Sequence, residues 1–343
     1  MIETTPDISL SHYANRLREG HVIAFPTETV YGLGANAWNA DAIARVFALK
    51  GRPPDNPLIV HVSSLEMVNA LVTEISADAR ALMDQFWPGP LTIIFPKRPE
   101  VLDIVTAGIH TVAVRMPNHP IPLRLIEEAG PLAAPSANTS GRPSPTKAEH
   151  VRHDFGDEIP VIEGGSCQYG LESTVLDLSQ HPYTVLRPGH ITQSELETTL
   201  GQPVRMAGAR PVVQSDAAPR SPGMKYTHYA PDAGVRWMRP DELPWPSFEN
   251  GKTLYLLHTL REDQNIPGPA SGAGMDIGQA IPRTSLESLI HYQEDYIEMA
   301  RDLYDRFRMA DLKGYEEIAI EPFPAWHEMT EALLNRIRKA IGD

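Results

Sequence analysis

Basic side chains are in short supply in this chain: 30 Lys and Arg stand against 44 Asp and Glu, a formal charge of −14. Such a surface repels a phosphate backbone over most of its area, which excludes extended nucleic-acid binding. A few cations gathered in one pocket can still hold a phosphate-bearing small molecule. Cysteine is rarer still. With Cys167 alone, neither an internal disulfide nor a cysteine-rich zinc site can form, and a reducing, cytoplasmic compartment is expected. No run of roughly 18 apolar residues occurs, and the first residues lack a basic segment followed by an apolar stretch. Neither membrane spanning nor secretion is therefore expected.

Whole motif classes are missing as well. There is no Gly-x-x-x-x-Gly-Lys-Ser/Thr loop, no Gly-x-Gly-x-x-Gly after a strand, no His-Glu-x-x-His and no Gly-x-Ser-x-Gly. Common NTPase, dehydrogenase, zinc-protease and hydrolase chemistries lose support accordingly. The thirteen histidines are scattered; His119, His150 and His153 sit in polar text and read as surface or loop residues, with no metal ligand among them.

What is present is a globular α/β chain. Its 343 residues exceed one ordinary core, so two domains are expected, and 42% apolar content suffices to bury them. A helix near Ile8 to Leu17 and a strand His21 to Phe25 open an alternating pattern. A helix from about Asn39 to Leu49 follows, then strands at Leu58 to Val62, Leu91 to Phe95, Thr111 to Arg115, Thr174 to Leu178 and Thr184 to Leu186. Periodicity stops between about Ala207 and Pro231, where Pro, Gly and Ala accumulate as in a linker. Beyond it the pattern predicts a strand Thr253 to His258, a loop Ile266 to Met275, a helix from about Ser285 to Phe307, a strand Ile318 to Ile320 and a helix near Trp326 to Ala340.

The chemistry-bearing text is concentrated in the first two-thirds. Pro26-Thr27-Glu28-Thr29-Val30-Tyr31-Gly32-Leu33-Gly34 follows a strand directly, where α/β folds place ligands, although Pro-Thr-Glu-Thr alone is equally an ordinary turn and cap. Lys50-Gly51-Arg52-Pro53-Pro54-Asp55-Asn56-Pro57 sets two cations one residue apart before a rigid loop that leads to His61. Preorganised charge of that kind suits a triphosphate, whereas Lys50 alone would merely complement a helix dipole. Ala134 to Gly141 offers hydroxyls and backbone N–H groups without bulk, and Glu172-Ser173-Thr174 and Arg187-Pro188-Gly189 bring further polar groups to strand ends. No nucleophile stands beside an obvious base.

Taken in order, Pro26 to Gly34, Lys50 to His61, Phe86 to Thr92, Val114 to Pro117, Pro135 to Gly141 and Glu172 to Thr174 closely resemble the YrdC-like family of threonylcarbamoyl-AMP synthases, over roughly residues 8 to 206. The text Ser221-Pro222-Gly223-Met224-Lys225-Tyr226-Thr227-His228-Tyr229-Ala230-Pro231 is similar to the mark of the two-domain type. The resemblance implies a twisted α/β sheet around a large open cavity in residues 1–207, a linker acting as a lid over 208–231, and a smaller Rossmann-like α/β domain over 232–343, which reads as regulatory because it lacks a clustered polar motif comparable with those of the first part. It implies an enzyme that joins L-threonine, bicarbonate or CO2 and ATP, with Mg2+ accompanying the ATP, and passes threonylcarbamoyl-AMP to downstream tRNA-modifying transfer enzymes. By the same resemblance Lys50 and Arg52 serve the triphosphate. Arg52, Asn56, Thr111, Ser136, Ser144, Arg187 and Tyr229 contact ATP, and Thr29, His61, Arg115, Ala134 and Ser173 contact threonine, Ala134 through its backbone. An RNA-binding module built on the same cavity is the alternative, opposed by the net charge.

Overall fold

The computed structural model of the chain describes residues 10–207, 229–242, 251–259, 288–323 and 328–342. The expected linker lies outside these residues except for Tyr229, Ala230 and Pro231, and the expected loop Ile266 to Met275 lies wholly outside them.

Nine strands form the first sheet: β1 (Ile23–Phe25), β2 (Gly32–Asn36), β3 (Ile59–His61), β4 (Leu91–Pro96), β5 (Thr111–Arg115), β6 (Leu132–Ala133), β7 (Thr174–Asp177), β8 (Thr184–Arg187) and β9 (Arg205–Met206), in the order β1-β2-β6-β3-β5-β4-β7-β8-β9. Pairing is mixed, with β3 parallel to β5 and β4 parallel to β7 but β4 antiparallel to β5. Because side chains alternate between faces, Val60, Ile93 and Val114 enter the large core, together with Ile43, Val46 and Leu82 from flanking helices. Ile59, Ile94, Ala113 and Val175 form a small apolar patch on the other face. The helix Ala40–Lys50 starts where expected, since the Asn39 side chain accepts from Ala42 N, and stops at Gly51 in the left-handed conformation (φ 62°).

The C-terminal domain is a separate α/β unit. Its strands β10 (Gly234–Trp237), β11 (Thr253–Leu257), β12 (Leu289–His291) and β13 (Glu317–Ile320) are all parallel, in the order β10-β13-β11-β12. The helix expected from Ser285 instead begins at Tyr296, and Leu289 and Ile290 belong to a strand. The β-branched and aromatic residues of Leu289 to Tyr292 suit an edge strand, Gln293 and Glu294 turn the chain with positive φ, and Asp295 caps the helix by accepting from Glu298 N. The helix Tyr296–Lys313 then buries Met299, Leu303 and Phe307 against Leu254, Leu256 and Ile318, with Leu333 and Ile337 of the helix Glu328–Ile341.

The two units share a seam. Val30 and Leu171 of the first pack into the core of the second. Gly170 (φ +72°) lies so close to the helix Tyr296–Lys313 that a Cβ there would stand 2.1 Å from the Arg301 carbonyl oxygen. His150, expected at the surface or in a loop, is buried at this seam, its Nε2 3.2 Å from Asp305, because the helix Tyr296–Lys313 packs over it.

Candidate active site

The loop after β1 is organised by Thr27. Its hydroxyl donates to the Val30 carbonyl (2.7 Å) and accepts from the backbone N–H of Thr29 and Val30. With that proton engaged, the Thr29 hydroxyl donates to Thr27 (2.9 Å) and turns a lone pair to Arg115 Nη1 (2.9 Å). Arg115 ends β5, directly opposite His61 at the end of β3, so both side chains project from the same face, with Ile59 two residues before His61. Glu28 fixes the guanidinium from behind, its Oε1 2.6 Å from Arg115 Nη2 in a pair almost withdrawn from water. Burial, then the Arg115 charge, pushes the His61 imidazole down to about 3, so it is neutral.

A second wall is built at the end of the helix Ala40–Lys50. Lys50 Nζ donates to the carbonyls of Ser136 (2.7 Å) and Asn138 (2.6 Å), while its own carbonyl accepts from Ser140 N (2.9 Å). Burial and the neighbouring Arg52 charge lower its amine to about 7. Arg52 lies over the Phe47 ring (5.6 Å) and donates to the Asn56 carbonyl (2.6 Å).

The third wall joins Glu172, Ser173 and Arg187. Arg187 Nε donates to the Ser173 carbonyl and Nη2 to its hydroxyl (both 3.1 Å), and the hydroxyl also meets Thr92 Oγ1 (2.7 Å). Tyr229 (φ 71°) closes this side, accepting from Arg187, with the next residue anchored by Ala230 N to the Gly141 carbonyl (2.9 Å).

These walls line an open pocket of about 760 Å³, the solvent space at its mouth included. Every residue expected at the site lines it except Asn56, Thr111 and Ser144. Asn56 is fully buried behind Arg52, and its carboxamide has no hydrogen-bond partner among the described residues. Thr111 begins β5, four residues from Arg115, roughly 13 Å along the strand. Ser144 faces away, its hydroxyl donating to Glu172 Oε1 (2.5 Å). Glu28 and Glu172 stand inside the motifs above, yet nothing in the sequence singles them out as site residues. It has no signal for Tyr304 and Arg336 of the C-terminal domain, whose side chains bond to the Glu172 carboxylate.

Lys50, Arg52, Arg115, Arg142 and Arg187 thus bring five basic side chains to one pocket of an acidic chain. Among the described residues its one lining carboxylate is Glu172, already engaged by Ser144, Tyr304 and Arg336, and no cluster of three His, Cys, Asp or Glu could hold a metal ion. The pocket suits a multiply charged anion whose own oxygens carry any divalent cation.

Residues 15–189 match the family model described as "Telomere recombination", which groups the YciO- and YrdC-like proteins, and residues 191–342 match that of the threonylcarbamoyl-AMP synthase C-terminal domain. The threonylcarbamoyl-AMP synthase of Bacillus subtilis is 41% identical, with 99% of this chain and 94% of that protein covered. The crystal structure of the Pyrococcus abyssi homologue complexed with L-threonine superposes with a TM-score of 0.82 at 39% identity, covering 99% of this chain and 96% of that one. A shorter threonylcarbamoyl-AMP synthase from Klebsiella pneumoniae is 36% identical over 48% of this chain, which spans 89% of its own length. With both parts of the chain matched and the full-length likeness extending from sequence to fold, this chain belongs to the two-domain threonylcarbamoyl-AMP synthase family.

Proposed function

We propose that the pocket binds ATP and L-threonine side by side and converts them, with bicarbonate or CO2, to threonylcarbamoyl-AMP and pyrophosphate. The observation that carries this reading is the convergence of five basic side chains, four of them arginines, on one pocket: such a wall positions and neutralises rather than attacks. Arg115 and Thr29 would hold the threonine carboxylate and hydroxyl beside neutral His61, while Lys50, Arg52, Ser136 and Arg187 would face the nucleotide. The threonine nitrogen adds to CO2 and releases a proton; a carbamate oxygen then attacks the α-phosphorus, and the bond to the leaving pyrophosphate breaks. Mg2+ enters as the counter-ion of ATP. Residues 1–207 would form the catalytic unit, 208–231 its lid and 232–343 the domain that docks on it, with the product consumed by tRNA-modifying transferases.

The charge of −14 favours this over an RNA-binding module. No described helix is long and apolar enough to cross a membrane. Pyrophosphate release by the purified chain should require both threonine and bicarbonate and should prefer threonine to serine; release from ATP alone would overturn the reading.

The depressed Lys50 amine gives a second check. At pH 8 it is mostly neutral, and triphosphate beside it restores its charge, so ATP binding should take up as much as about one proton. Calorimetry in two buffers of different ionisation enthalpy reads that uptake, which Lys50→Met should abolish. Equal heats in both buffers would separate Lys50 from the phosphates.

A further inference from the structure

The last helix reaches into the wall of a pocket built otherwise by the first domain and Tyr229. Arg336, on the helix Glu328–Ile341, is fully buried and is the largest side chain so enclosed among the described residues. Its Nε donates to Glu172 Oε2 (2.8 Å), its Nη1 to the Pro188 carbonyl (2.9 Å) and to Asn335 Oδ1 (3.0 Å), and its Nη2 to the Glu172 carbonyl (3.4 Å). The guanidinium also lies 5.6 Å from the centre of the Tyr229 ring. One side chain therefore touches three wall segments: the one carrying Glu172, the turn that follows Arg187, and Tyr229.

We propose that Arg336 is a positioning residue of the nucleotide site: by holding the Glu172 carboxylate, it leaves the Arg187 guanidinium on Ser173 and toward the pocket. The alternative arrangement is close at hand. Glu172 is buried, which raises its carboxyl, yet Arg336 and then Arg187, with the Ser144 hydroxyl, bring it down to about 2, so both guanidinia act on the same carboxylate. With Arg336 removed, the charge remains buried and Arg187 is the remaining arginine of that pair, so the carboxylate draws Arg187 away from Ser173. The turn has no slack to follow, because a Cβ on Gly189 would stand 2.4 Å from Thr174 N. Tyr304, whose hydroxyl reaches both Glu172 oxygens at 3.2 and 3.1 Å, adds hydrogen bonds but no charge.

The inference rests on the assignment of Arg187 to the ATP half of the pocket. It is tested by ATP affinity, measured calorimetrically on the full chain well below the melting temperature of each variant. Arg336→Met should raise the ATP Kd roughly tenfold or more, and Glu172→Gln added to it should recover most of that loss, because the stranded charge is then gone. A side chain that merely supports the fold would lower the melting temperature of Arg336→Met without this suppression. Unchanged ATP affinity in Arg336→Met, or a double variant no better than the single one, overturns the proposal. Should Arg336→Met fail to fold, Arg336→Gln with and without Glu172→Gln carries the same comparison, since it too removes the charge. Threonine-dependent pyrophosphate release by the unaltered chain is scored separately: its absence would remove the synthase reading while the ATP-binding comparison still decides the role of Arg336.

Discussion

Arg308→Met should divide the thermal unfolding of this chain into two separate transitions. In the native seam both Arg308 terminal nitrogens meet the two Asp154 oxygens at 2.8 Å, with the side chains only 7% and 4% exposed, and Nη2 also donates to the Pro143 carbonyl (2.6 Å). Burial alone would raise the Asp154 carboxyl; the bonds and charge of Arg308, with His153 and the Thr139 N–H, more than offset it and hold it below its ordinary value. Taking away the guanidinium strands a buried carboxylate, a loss of about 3–5 kcal/mol. Arg336 with Glu172 is the other buried pair across the seam, whereas Lys147 with Asp305 and Arg142 with Asp232 are more exposed and are worth about 1 kcal/mol or less each. Calorimetry should therefore show one transition for the parent chain and for Arg142→Ala, but two for Arg308→Met. A single transition in the Arg308 variant, unshifted, would mean that the pair does not couple the domains. The sign with pH follows: stability from the lowered Asp154 is complete above its unfolded value and is lost as pH falls through the folded one.

Arg52→Ala should lose ATP affinity on the order of a hundredfold while threonine affinity is kept. The guanidinium is held before any ligand arrives, stacked on Phe47 and bonded to the Asn56 carbonyl, so little ordering opposes its use. Its removal takes one cation from the nucleotide half and leaves the Glu28–Arg115 pair intact at the other. The fold should survive, since Arg52 lies at the pocket wall and its place can be filled by water. Unchanged ATP affinity on a folded variant would remove Arg52 from the site.

Much of the sheet can be read from the residues. Leu91 to Phe95 and Thr111 to Arg115 are apolar runs that can hardly be anything but buried strands, and Asn39 marks its helix as a cap. The strand β2 is hidden by its glycines, which carry little strand propensity. They are there because the Phe25 ring crosses the strand: a Cβ on Gly34 would stand 2.4 Å from Phe25 Cε1. That requirement belongs to the pairing of β1 with β2 and leaves no local mark. The first-domain walls of the pocket are legible for the opposite reason, since each is a short segment in which several polar groups sit together. Arg336 is not, because its partner lies 164 residues away and an arginine on an amphipathic helix reads as a solvated one.

The close approach at Gly170 bears on how such two-domain chains could be assembled from parts. The Klebsiella pneumoniae relative matches only 48% of this chain, so it presents a natural host for grafting the C-terminal domain. Charges along such a graft could be matched by a few substitutions, since long side chains adapt. A methyl group at the position of Gly170 could not, because it would meet backbone, and backbone moves only with its helix. A chimera would have to begin with that one position, before any ion pair is designed: the tolerance for joining the two modules is narrower than a single carbon atom.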